Sequence, residues 1–198
     1  MGIINDGRSK GPAMGVNDNF RGLVNAITEQ ESEAAALLGD GYNINTDYIS
    51  YTTGTSGAVY VLNNEDEDFF VDSIIVGTKE PVGGTLDDII VITMIKNATT
   101  GTLISTATAI AIKENRNFGS SKTATNLIAY MGADGETVTD GTTAAVISQK
   151  GTGRSVTPIG WIVPKAKSFS LTLGVTLSAG SIPIYVAVVG HFLDPKRL

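Results

Sequence analysis

The sequence predicts an all-β protein: an antiparallel β-sandwich, jelly-roll-like, with an extended N-terminal arm and one short helix. Three observations predict it. Apolar, β-favouring runs recur between Gly-, Asn- and Asp-rich turns at about the 8–12-residue spacing of a sandwich or barrel. The stretch Ser168–Leu177 alternates cleanly, with Phe169, Leu171, Leu173, Val175 and Leu177 on one face. No strand–helix–strand alternation is present, which argues against a doubly wound parallel sheet. The division expected is an arm over residues 1–27 and a single sandwich domain over 28–198.

Each element has its own signal. The arm is punctuated by Gly2, Gly7, Gly11, Pro12 and Gly15, and its apolar residues are too sparse for a core element. Leu23, Val24 and Ile27 are its candidate interaction residues, able to add a strand to a neighbouring subunit. Thr28–Glu31 fits a capping box, Glu29–Leu38 is rich in helix formers, and Gly39 stands where a C-terminal cap belongs. Leu37 and Leu38 are the expected anchors of that helix. Strands are expected over Tyr42–Thr46 and Tyr48–Thr53. The run Gly57–Gly77 reads as a core-forming hairpin, with Ala58–Leu62 and Phe69–Val76 joined by the acidic turn Asn63–Asp68. Ile89–Ile95 is apolar almost without a break and reads as a central strand buried on both faces.

Thr102–Ile112 reads as a strand, with a helix as the alternative because its alanines are ambiguous. Lys113–Lys122 is expected to be a polar loop. Further strands are expected over Asn126–Met131, Thr142–Ser148, Ile159–Val163 and Ile182–Phe192, with Lys150–Arg154 as a Gly-rich turn. The third of these carries Trp161, the only tryptophan of the chain.

Composition narrows the function classes. The net charge is −6 and the 14 basic residues are scattered, so there is no stripe to hold nucleic acid. Charged residues are 17% of the chain, below the usual ~25%, which suits a subunit whose surface is covered by partners. With no cysteine, disulfides and thiolate metal sites are excluded. Met1–Asp6 lacks the basic and apolar regions of a signal peptide, and the apolar run Ile182–Leu193 is too short to span a bilayer. A soluble protein with no membrane partner is expected.

No catalytic constellation is visible, and neither a cofactor nor enzymatic activity is expected. The single histidine, His191, lies in an apolar strand and reads as a hydrogen-bonded structural residue. No G-x-S-x-G elbow supplies a nucleophile for it. The acidic turn offers Glu65, Asp66 and Asp68 as candidate calcium ligands through hard oxygens. It lacks EF-hand spacing, and a solvated turn is the simpler reading. Gly119–Thr123 is too short of glycines for a phosphate loop. Tyr42, Tyr48, Tyr51 and Tyr60 read as core packing before sugar binding.

One set of segments carries a resemblance. Glu31–Leu37, Tyr42–Thr46, Tyr60–Asp66, Val71–Gly77 and Asn115–Ser121, in that order, resemble a widespread group of small virion proteins of tailed bacteriophages. The resemblance runs from about Asn17 to the C-terminus and includes no catalytic motif. It implies a β-sandwich subunit of the virion, assembled in the host bacterial cytoplasm. The expected role is a capsid decoration (cement) protein, with a neck or tail component as the alternative. It implies symmetric homo-oligomers, often trimers, and partners among the other virion proteins, such as the major capsid protein. The arm is then the expected docking element. A host-glycan-binding sandwich, using Gly77–Asp88 and Lys113–Lys122, is the competing reading.

Overall fold

Two antiparallel sheets face each other across an apolar core. The structure is a computed structural model and describes residues 2–4, 14–16, 32–87, 89–105 and 109–193. In the N-terminal region, β1 (Gly2–Ile4) and β2 (Met14–Val16) pair antiparallel as a two-stranded ribbon. Leu23, Val24, Ile27 and the capping box lie outside the described residues.

One sheet runs in the order β12 (Gly153–Val163), β6 (Asp68–Thr78), β14 (Ile182–Leu193), β3 (Gly41–Asn45), β9 (Ile112–Asn115). A short β4 (Ile49–Tyr51) pairs with the beginning of β14. The facing sheet runs β11 (Thr142–Gln149), β7 (Ile90–Lys96), β13 (Lys167–Val175), β5 (Gly54–Asn63), β10 (Leu127–Met131), β8 (Ala109–Ile110).

Strand order identifies the winding. Take β3, β5, β6, β7, β11, β12, β13 and β14 in chain order. The first pairs with the last and the second with the second to last; β6 pairs with β12 and β7 with β11. The pairs β6–β14 and β7–β13 complete two four-stranded sheets. This is a double-wound jelly roll, the form that closes a β-sandwich with two Greek keys. The segment between β7 and β11 adds β9 to one sheet and β10 and β8 to the other, at the side away from β11 and β12.

The winding corrects the expected hairpin. β5 and β6 follow each other in the chain but lie in opposite sheets, so Asn63–Asp68 is an arch over the end of the sandwich. Asn63 holds the arch. Its amide nitrogen donates to the carbonyls of Glu67 and Val163, both at 2.8 Å, and its own carbonyl accepts from Ala166 N. A buried asparagine satisfied in this way fixes a turn that no short-range hairpin signal encodes.

Side-chain alternation builds the core. The inward residues of β13 (Phe169, Leu171, Leu173, Val175) meet those of β5, β6, β7 and β14, including Val59, Val61, Phe69, Ile74, Ile92, Met94 and Val188. Phe192 packs edge-on against Tyr42 and tilted against Phe69. β7 is buried on one face, through Ile90, Ile92 and Met94, and only half-buried on the other, because it stands one strand from the sheet edge.

A short helix is associated with each sheet. Residues 32–37 form α1, which ends at Gly39 in the left-handed conformation (φ 78°). Gly39 N–H bonds Ala36 O and Asp40 N–H bonds Ala35 O, the pair of bonds of a Schellman cap. The buried anchor is Ala35, not the expected leucines: Leu37 is 79% and Leu38 42% exposed. Thr102–Ser105 forms α2, followed by the short strands β8 and β9, so the helical alternative holds for the first part of Thr102–Ile112 and the strand for the last. Leu103 of α2 is buried, and its Cδ2 lies 2.8 Å from where a Cβ on Gly57 would stand. Residues 112–115, expected to lie partly in a loop, pair with β3. β12 is longer than expected and includes Gly153 and Arg154.

Candidate functional site

The densest polar cluster lies under α1. Asp72 of β6 and His191 of β14 project from the same face of their sheet. Asp72 Oδ1 is 3.0 Å from His191 Nδ1, Ser32 Oγ donates to Asp72 Oδ2 at 2.9 Å, and Arg116 Nη1 donates to Ser32 Oγ at 2.7 Å. The ring of His191 is stacked on Phe70, with centroids 5.4 Å apart. The carboxylate stands between serine and histidine. Ser32 bonds Asp72 and not the imidazole, and His191 Nε2 is buried without a hydrogen-bond partner among the described residues. A nucleophile–base pair needs the hydroxyl on the imidazole nitrogen. The cluster instead ties α1, β6, β9's C-terminal end and β14 together, as the structural reading of His191 expects.

The acidic arch spreads its carboxylates over separate partners. Glu65 accepts from the backbone N–H and side-chain amide of Asn126. Asp66 pairs with Lys165, whose hydrogen bond holds the carboxyl below its ordinary range. Asp68 opens β6 with an exposed side chain. Among the described residues no group of three or more carboxylates and imidazoles converges on an ion-sized space.

Other polar groups serve turns. Asp140 accepts from Thr99 N, Thr99 Oγ1 and Thr100 N, and these bonds, the threonine hydroxyl first, pull its pKa down to about 2. Lys113 donates to the carbonyls of Ala124 and Leu127, and burial lowers its pKa. Of the four clustered tyrosines, Tyr42, Tyr51 and Tyr60 are buried, and burial drives the Tyr51 phenol strongly upward. Tyr48 is exposed and carries Lys79 Nζ 4.0 Å above its ring.

Two larger surface grooves lie elsewhere among the described residues. A groove of about 450 Å³ lies beside the 79–89 loop, lined by Glu80, Thr85, Asp87, Lys150 and Thr152. A second, of about 620 Å³, opens at the mouth of the sandwich between β11 and β12 and is lined by Ala144, Trp161, Ile162 and Phe169, with Lys96 and Lys167 beside them. Trp161 is half-buried there, edge-on to Phe169. Sequence reading placed Trp161 on a strand but missed the groove, because a groove between sheets depends on which strands end at each edge.

The fold class is a jelly-roll β-sandwich, on strand order alone. No protein-family model matches the chain, and no curated protein sequence matches it. Among solved structures, a T=13 viral particle of infectious bursal disease virus aligns with a TM-score of 0.31 and 14% identity, over 76% of this chain and 31% of that one. A mutant VP2 protein of the same virus, in T=1 particles, aligns with a TM-score of 0.15 and 17% identity, over 79% of this chain and 41% of that one. The chain thus spans under half the length of either, and likeness at these scores carries no argument. No helix among the described residues is long and apolar enough to cross a membrane.

Proposed function

We propose that this chain is a structural subunit of a virus particle, specifically a capsid decoration protein of a tailed bacteriophage. The observation that carries the reading is the jelly-roll strand order, an architecture that recurs in capsid domains. It accords with the resemblance to small phage virion proteins that runs from about Asn17 to the C-terminus. Residues 1–27 are the docking arm, with Leu23, Val24 and Ile27 as the contact residues on a capsid, neck or tail partner. An arm that orders on docking covers a large surface from a short segment. The sandwich self-associates on the particle.

The test is a particle-binding assay with the full chain and with residues 1–27 removed. The expected result is co-sedimentation of the full chain only, both proteins having the same circular dichroism. Normal docking of the shortened protein would remove the arm from the reading. Electron microscopy of the decorated particle then separates capsid surface from neck and tail.

A second reading, a glycan-binding jelly roll, is favoured by the polar groove beside Glu80, Asp87 and Lys150. Retention of host glycans by the wild type, lost in Asp87→Ala, is its test.

A further inference from the structure

The large exposed apolar side chains fall mainly into two groups at opposite sides of the sandwich. One group is Leu37 and Leu38 at the end of α1 with Phe118 beside them; Phe118 is 98% exposed, and Asn117 Nδ2 donates to Leu37 O at 2.8 Å. This group lies at the β3–β9 side. On the opposite side, Val156 and Ile162 of β12 project from one sheet and Val146 of β11 from the other, each more than half exposed, and of the three Ile162 lines the Trp161 groove. β11 and β12 are the sheet edges farthest from β9, about 20 Å across a five-stranded sheet.

The two sides differ in kind. On the β9 side the edges are short: β8 has 2 residues and β9 has 4. On the other side β11 offers 8 and β12 11 residues of edge backbone. An edge that long is normally blunted by charge, yet β11 carries no charged residue and β12 only Arg154. Pro158 and the bulge between Pro158 and Trp161 interrupt β12, which disfavours continuous strand addition there and leaves side-chain docking.

Charge separates the sides further. Residues 141–193 contain no Asp or Glu, although the chain has 20 of them. The same stretch holds Lys150, Arg154, Lys165 and Lys167, all exposed. Glu80 touches one end of this rim through Thr152, and Asp66 the other through Lys165. The β9 side exposes Glu33 and Glu114, while its Arg116 and Lys122 are paired internally with Asp72 and Asp40 and its half-buried Lys113 is held by the carbonyls of Ala124 and Leu127. Two copies of a −6 molecule repel in most orientations. Joining the acidic side of one to the basic rim of the next avoids that repulsion.

We propose that the chain assembles head to tail with further copies of itself, Phe118 of one copy seating in the Trp161 groove of the next. The inference deepens the reading of the chain as a self-associating subunit and rests on it. A projecting aromatic and an apolar groove with an aromatic wall are the features that dominate association energy. Because the two faces differ, the contact is heterologous, and it makes a closed ring when the rotation between copies closes. Trp161 reports on it directly, as the only tryptophan in the chain.

The test uses light scattering on a sizing column together with tryptophan emission. The wild type is expected to run as a multiple of the 20.6 kDa chain mass, less so in high salt, and its emission to shift red on dilution. Phe118→Glu and Ile162→Glu each change an exposed side chain, and each is expected to weaken self-association about tenfold or more. Mixing the two variants restores one intact contact and gives a dimer that neither forms alone. Ala144→Trp, filling the groove from the exposed edge, does the same as Ile162→Glu if that variant unfolds. A wild type that is monomeric at every concentration, or a Phe118→Glu variant that keeps its oligomers, overturns the inference. If particle binding through the arm persists in that case, the virion reading stands without this interface; if self-association holds and particle binding fails, the reverse follows.

Discussion

Asp72 Oδ1 and His191 Nδ1 stand 3.0 Å apart although 119 residues separate them in the chain. The same carboxylate receives Ser32 from α1, which in turn receives Arg116. One side chain therefore joins two neighbouring strands to the helix above them. Asp72→Ala leaves the imidazole nitrogen and the Ser32 hydroxyl without their acceptor and removes the carboxylate 3.7 Å from the Arg116 guanidinium, which keeps Ser32 Oγ. The expected cost is ~1–3 kcal/mol, seen as a lower urea midpoint at unchanged slope. Asp72→Asn keeps an acceptor oxygen and should lose less. Equal midpoints for Asp72→Ala and the wild type would show that the cluster contributes nothing to stability.

Leu103 is 1% exposed and packs on Gly57 outside the main core. Leu103→Ala should cost about 2–5 kcal/mol, as for other buried leucines. The loss should centre on α2: faster amide exchange at Ile104 and Ser105, whose N–H groups bond Gly101 O, with exchange in β14 following only the global stability.

Gly190 of β14 lies at the bulge where the strand pairs with β6. A Cβ there would stand 2.3 Å from Phe70 O and 2.5 Å from Phe69 Cζ, so both backbone and a core ring obstruct it. Gly190→Ala should destabilise by about 1–3 kcal/mol, the range for overpacking, in thermal unfolding. A neutral result would mean that the bulge between Val189 and Gly190 opens freely.

Asp140 sets an acid-side dependence. Its folded pKa of about 2 lies below the ordinary 3.8, so its hydrogen bonds to Thr99 and Thr100 favour the folded state whenever it is ionised. That contribution is complete above pH ~4 and fades as pH falls toward 2. Unfolding midpoints of wild type and Asp140→Asn should differ most above pH 4 and converge toward pH 2. A constant difference across that range would break the assignment.

Strands were legible in the sequence because alternation reports which residues share a face. Phe169, Leu171 and Leu173 read as one face and line the core, although Ser168, Ser170 and Thr172 between them are buried as well. Which sheet a strand joins was not legible. A hairpin and an arch both join two apolar runs through a polar turn, and Asn63 distinguishes them only by reaching Val163, 100 residues away. Leu37 and Leu38 misled for a related reason: in a helix this short, helical phase alone does not decide which residues face the sheet. His191 was legible as a hydrogen-bonded residue of an apolar strand, but its partner Asp72, 119 residues away, was not. The Trp161 groove was not, because it exists only where two sheet edges stop together.

β14 is synthesised after every other described strand of the sandwich, and it lies in the middle of its sheet, flanked by β6 and β3. Thr46 Oγ1 accepts from Val186 N across 140 residues of chain. Nothing synthesised earlier has a complete second sheet to fold against, so the two halves of the sandwich wait for each other. Such a chain folds late and slowly, with unpaired edges exposed in the interval. Its vulnerable period is therefore the time between synthesis and closure, and a truncation before Ile182 should leave an aggregating chain and not a smaller domain.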